Sequence, residues 1–183
     1  MCAFAAVLAA GAAAADAEIC TRRYVLQLGG WQVCTKSAFA ADARPIPAGA
    51  EALASATFPG AGKPLIVPVG PPLPAIELKL IHPAKFQSLT IINGHVAGSP
   101  HDGGGDLAAY RDFARARIVS VATSDGVRAR FALADTHEKQ ILRLPRPATP
   151  GWIRITIEAM HSGARPLVAL TELAPDLEEY YVP

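Results

Sequence analysis

The chain has 183 residues, 17 basic against 16 acidic side chains, and a formal net charge of +1. No basic run or Lys/Arg stripe breaks that balance, so the electrostatic footprint of a nucleic-acid or anionic-membrane binder is missing. The length favours one domain that buries roughly two-thirds of its unfolded surface. Its 16 prolines and 15 glycines cut the chain into the short elements of an all-β fold.

Residues 1–17, MCAFAAVLAAGAAAADA, read as a signal peptide, with Ala15-Asp16-Ala17 as an A-x-A cleavage site before Glu18. The apolar run is too short to span a bilayer. No Lys or Arg precedes it, so the α-amino group alone supplies the positive end. The competing reading is an Ala-rich core helix, but no polar face marks it as amphipathic. Export places the mature protein outside the cell or in the periplasm.

Residues 18–58 form an N-terminal extension with two cysteines, Cys20 and Cys34. In an exported domain such a pair reads as a disulfide. Tyr24–Leu28 and Trp31–Cys34 have the composition of short strands, and Gly29-Gly30 suggests a tight two-residue hairpin turn. In that register Cys34 would face Val25 and Cys20 would face Phe39, beyond disulfide reach. The bridge therefore requires a wider loop; two buried thiols are the other possibility. Residues 59–74 carry six prolines and three glycines and read as a connector, a loop or an edge strand.

Residues 75–175 carry the period-2 signal of a sandwich core. Ile76, Leu78 and Leu80 alternate with Glu77 and Lys79, and Gln87–Ile92 is a second strand stopped by Asn93-Gly94. A long loop, Asn93–Ala116, follows, with Leu107–Ala116 as one or two helical turns and Arg111, Arg115 and Arg117 in solvent. Arg117–Thr123 and Val127–Leu133 flank a Ser124-Asp125-Gly126 turn as a hairpin. Gln140–Leu144 is closed by Pro145, Pro147 and Pro150. Ile153, Ile155 and Ile157 mark the clearest strand, and Leu167–Leu173 the last; residues 176–183 form an acidic, frayed tail. Short strands every 8–14 residues, with no helices between them, predict an antiparallel β-sandwich.

The order of motifs is similar to the discoidin-like (galactose-binding-like) jelly rolls, and in particular to the bacterial NADase-type glycan-binding domain. The residues concerned are Thr90-Ile91-Ile92-Asn93-Gly94, Tyr110, Arg117-Ile118, Phe131-Ala132-Leu133-Ala134-Asp135 and Gln140–Leu144, then Trp152–Ile157, Ser162-Gly163 and Leu170-Thr171-Glu172-Leu173. The resemblance spans roughly the last 100 residues and implies a sugar-binding role without NAD cleavage. The chain departs from the pattern around residues 45–75, where no Asp-Gly followed by Trp occurs, and at Pro166, where an Asp is usual.

A loop as long as Asn93–Ala116 is usually functional. The candidate ligand-binding residues are Asn93, His95, His101, Asp102, Tyr110 and Arg111. Asp102 and Asp106 enclose three glycines like a cation loop, but two acidic positions fall short of calcium's oxygen count. His95, His101 and Asp102 are a conceivable zinc triad. No metal is assigned. Trp31, Trp152 and Tyr180-Tyr181 are the other candidate aromatic platforms, with Trp152 equally readable as core. Asn93 has a bland reading, holding its turn in the left-handed region. Asp135 and Gln140 flank a connection whose amides they can order, and Glu172 suits a structural hydrogen bond on a strand's solvent side. No hydrolase, zinc-protease or nucleotide fingerprint occurs, and no cofactor is implied. The reading is thus a non-enzymatic binding module for a glycan or other cell-surface ligand. An interaction component of the cell envelope ranks next, and a metal-assisted hydrolase using His95, His101 and Asp102 ranks last.

Overall fold

The computed structural model describes residues 18–23, 30–40, 42–47, 53, 55–57, 63–96 and 109–179. The strands are β1 (Ile19–Arg23), β2 (Trp31–Thr35), β3 (Leu65–Pro68), β4 (Ala75–Leu80) and β5 (Ala84–Asn93), then β6 (Phe113–Thr123), β7 (Arg128–Ala132), β8 (Lys139–Ala148), β9 (Trp152–His161) and β10 (Arg165–Glu179). They follow one path, β1-β2-β4-β9-β6-β10-β5-β8, with β7 on β6 and β3 on β10. β6 and β10 are parallel and pair only at Phe113–Arg165 and Ala114–Val168. That short joint separates two otherwise antiparallel sheets.

The inner faces of the two sheets share one core. Val33, Ile76, Leu78, Ile153, Ile155 and Ile157 of the first sheet belong to the same buried cluster as Phe86, Leu89, Ile91, Leu170 and Leu173 of the second. Alternation explains this: Ile76 and Ile155 are direct cross-strand partners, as are Glu77 and Arg154 on the opposite face. The predicted all-β sandwich is the observed fold.

Cys20 pairs directly with Cys34 across β1 and β2 and is bridged to it, with Cα atoms 4.1 Å apart. The register sets Arg23 opposite Trp31 and Cys20 opposite Cys34, not Cys34 opposite Val25 as a tight Gly29-Gly30 hairpin would require. The Tyr24–Leu28 strand and the signal peptide lie outside the described residues. β2 hydrogen-bonds to β4, and β3 to β10, so strands from residues 19–35 and 65–68 belong to the same sheets as those of 75–175. At the other end β10 runs in pairing with β5 through Glu179, so residues 176–179 are ladder rather than frayed tail.

Two strand ends differ from the sequence reading. β8 passes through Pro145 and Pro147 because it ends the sheet's strand order and its ladder with β5 skips from Arg143 to Ala148, so the missing N–H groups cost no ladder bonds. β6 begins at Phe113, four residues early, and no helical turn is present over 113–116. Phe113, Ala114, Arg115 and Ala116 are all buried. A strand covered on both faces loses its alternation, which hid this start.

Candidate functional site

The β5–β6, β7–β8 and β9–β10 connections meet around Arg115. The frame begins at Asn93, whose side chain is fully buried. Its Nδ2 donates to the Ala116 carbonyl at 2.6 Å, and the Ala116 N–H donates to its Oδ1 at 2.8 Å. Gly94, not Asn93, takes the left-handed conformation, with φ +78°. A Cβ on Gly94 would lie 2.5 Å from the Tyr110 ring, so only glycine lets that ring close over the backbone. Thr171 Oγ1 donates to the Gly94 carbonyl and accepts the Val96 N–H, fixing the loop's departure.

Tyr110 is 9% exposed and packs with Ile92 and Val96. Its hydroxyl donates to Asp135 Oδ1 at 3.1 Å. Arg115, 6% exposed, lies 5.2 Å from the Tyr110 ring centroid and grips the same carboxylate in a fork, Nε to Oδ1 and Nη2 to Oδ2, both 2.8 Å. Its Nη1 donates to the Ser162 and Phe113 carbonyls. A buried guanidinium is tolerated because each of its nitrogens is satisfied. This overturns the solvated reading of Arg115.

The electrostatics follow from the contacts. Hydrogen bonds from Arg115, and then from Tyr110, hold the Asp135 carboxyl down to about 2 against the opposing effect of burial. Burial, reinforced by the Asp135 carboxylate, pushes the Tyr110 hydroxyl up to about 12. The Asp135 side chain remains 40% exposed. It is thus an ionised acceptor aimed by a buried clamp and open to solvent. His161 Nδ1 lies 4.0 Å from Asp135 Oδ2, and the exposed His137 ring meets Tyr110 edge-on at 6.0 Å. Arg111 and Asp112 are exposed beside them. Such a set can hydrogen-bond a hydroxyl-rich ligand.

Of the expected site residues, Asn93, His95, Tyr110 and Arg111 fall in this region; His101 and Asp102 lie outside the described residues, as do Asp106 and Tyr180-Tyr181. The zinc and calcium readings rest on those positions. His95 is half-buried, 5.5 Å from the Phe113 ring. Tyr110 and Asn93 are frame rather than exposed wall. Trp31 is core, its Nε1 donating to Thr57, whereas Trp152 is only half-buried and carries Arg154 at 5.3 Å from its ring. Glu172 is buried, not solvent-facing. Gln140 orders the β7–β8 loop, accepting the Ala134 N–H and donating to its carbonyl, but Asp135 serves Arg115 instead of backbone amides. Sequence reasoning missed His137 and His161 as neighbours, since nothing in local spacing brings them to residue 110. The Leu133-Ala134-Asp135 motif was the available signal for Asp135.

A second concavity, of about 560 Å³, lies between the end of β2 and the β3–β4 loop. Thr35, Lys36, Glu77 and Arg154 line it opposite Pro72 and Leu73.

No protein-family model matches the chain, and no curated protein matches it. Among solved structures, the family 32 CBM of C. perfringens NanJ in complex with galactose aligns at a TM-score of 0.52. Its identity is 14%, over 86% of this chain and 97% of that one. The fold is discoidin-like. Two further neighbours of this discoidin-like sandwich are the family 32 carbohydrate-binding module of Streptococcus pneumoniae EndoD and CBM32-1 from a family 31 glycoside hydrolase of Clostridium perfringens. The first has a TM-score of 0.42 and 12% identity, over 61% of this chain and 73% of that one. The second has 0.44 and 10%, over 67% and 82%. Among the described residues no helix is long and apolar enough to cross a membrane.

Proposed function

We propose that the chain is an exported, non-catalytic module that binds a glycan at the loop end built around Asp135. The observation that carries this reading is the half-exposed Asp135 carboxylate, held ionised by the buried Arg115 fork where three connections converge. Planar polar groups fixed before the ligand arrives lower the ordering cost of binding. The NanJ module, whose structure contains galactose, shares the fold over nearly its whole length. Arg111, His95, His101 and Asp102 supply contacts from the β5–β6 side, with Asn93 and Tyr110 as the frame beneath. The N-terminal Ala-rich segment and the Cys20–Cys34 bridge support export.

The test is a glycan array followed by calorimetric titration with the sugars retained, galactose included. Arg111→Ala and His137→Ala are expected to weaken binding while leaving the melting temperature in place. A wild-type protein that retains no glycan removes the reading. One observation favours the envelope-interaction alternative: Ile141, 53% exposed, stands on the edge strand β8, and an open edge invites strand pairing. Capture of an envelope protein that Ile141→Lys abolishes, with no sugar bound, is the outcome for that alternative.

A further inference from the structure

The groove between β2 and the β3–β4 loop has no part in the site above. Its volume of about 560 Å³ falls in the range of small-ligand sites. One wall is a charge network on the outer face of the first sheet. Glu77 Oε2 accepts from Arg154 Nε at 2.9 Å and from Nη2 at 2.5 Å. Lys79 lies 3.7 Å from Glu77 Oε1 and 2.9 Å from Glu18 Oε2. The Glu77 side chain is largely buried while that of Arg154 is half exposed. The two bonds to Glu77 hold the half-exposed Arg154 guanidinium in place, so a fixed donor group stands beside a fixed acceptor.

The facing wall is different in kind. It is the proline-rich turn after β3, with the half-exposed Leu73 on it. Prolines and Leu73 offer C–H surface without hydrogen-bond donors. The floor is fastened by the disulfide, since Thr35 and Lys36 follow Cys34 directly. Thr35 Oγ1 donates to the Ala75 carbonyl at 3.0 Å, tying two of the lining residues together. The lining charges, Glu18 and Glu77 against Lys36 and Arg154, cancel.

A neutral groove with one apolar wall and one wall of paired donor and acceptor suits a ligand with a C–H face and adjacent hydroxyls. We infer that this groove is a second, independent binding site for a neutral saccharide, with Arg154 and Glu77 reading neighbouring hydroxyls and the proline turn packing on the ring face. The inference takes its ligand class from the glycan-binding reading and its place from the groove alone. Trp152, two residues before Arg154 on the same face of β9, backs that guanidinium, which lies 5.3 Å from its ring centroid.

The experiment is a titration of the ¹⁵N-labelled protein with galactose, lactose and cellotetraose, followed by amide shifts. Saturable shifts are expected at Thr35, Lys36, Ser37, Gly70, Leu73 and Glu77 with at least one sugar. Arg154→Gln is expected to weaken them about tenfold, the worth of one hydrogen bond to a charged group. Ser37→Trp, which fills the groove, should abolish them, and Arg111→Ala should leave them unchanged. Shifts confined to the loop end with every sugar overturn the second site and leave the first. Groove shifts that survive both groove variants also overturn it. Silence at both places removes the glycan reading itself.

Discussion

Asn93 and Ala116 exchange two hydrogen bonds, the side-chain amide of one standing in for a strand partner of the other. The pair pins the start of β6 to the end of β5 and sets where the site loop departs and returns. Asn93→Ala strands a buried N–H and a buried carbonyl, each costing about 1–3 kcal/mol. Chemical denaturation should show a loss of at least about 2 kcal/mol. Asn93→Asp should do comparably badly, because a carboxylate cannot donate to the Ala116 carbonyl. An unchanged midpoint for both variants would contradict the clamp.

Asp135 and Tyr110 give the fold a pH dependence at each extreme. The Asp135 carboxyl is lowered from 3.8 to about 2, so its stabilisation is complete above 3.8 and drains as the pH falls towards 2. The Tyr110 hydroxyl is raised from 10.0 to about 12, so its contribution is complete below 10.0 and drains as the pH rises towards 12. With 40% of the Asp135 side chain exposed, solvent screening keeps the acid effect modest. Denaturation of wild type and Asp135→Asn across the acid range should show the gap closing between about pH 4 and 2. Phenolate absorbance should show a tyrosine ionising well above the usual value of about 10.

Reduction of the Cys20–Cys34 bridge should destabilise the protein by about 3 kcal/mol, the chain-entropy value for a loop of roughly fifteen residues. The two cysteines are separated by 14 positions. Non-reducing alkylation should label neither. Quantitative labelling of both in native protein would show that the bridge does not form.

Three substitutions separate core, frame and rim. Ile155→Ala empties a fully buried site and should cost about 2–5 kcal/mol. Tyr110→Ala should melt early in the same way, since the ring is buried over Gly94 and its hydroxyl holds Asp135. Arg111→Ala, on an exposed residue, should stay within about 0.5 kcal/mol of wild type. Thermal melts check all three; an Arg111→Ala melt as low as that of Ile155→Ala would place Arg111 in the frame.

Gly163 should be intolerant for a steric reason. A Cβ there would lie 2.2 Å from the Phe113 carbonyl carbon, beside the short joint between the sheets. Gly163→Ala should lower the melting temperature, whereas Gly126→Asn, in an open turn with φ +85°, should be mild, as Asn tolerates that region.

The sequence by itself determined the sandwich. Alternation at Ile76–Leu80 and Ile153–Ile157 depends only on which side chains a pleated strand turns inward, and that information is local. The cysteine pair was legible from a count, two cysteines remaining after the expected signal peptide. Tertiary structure alone brought the candidate site's residues together. Arg115 reads as a surface cation until Asp135 and the Ser162 carbonyl arrive from other connections, and a charge can be buried only once such partners are present. Tyr110 became frame for the same reason. Glu77 and Arg154 were both legible as outward residues, but only the β4–β9 register makes them neighbours on one wall of a groove. A residue's partner lies across the fold, and no spacing along the chain encodes it.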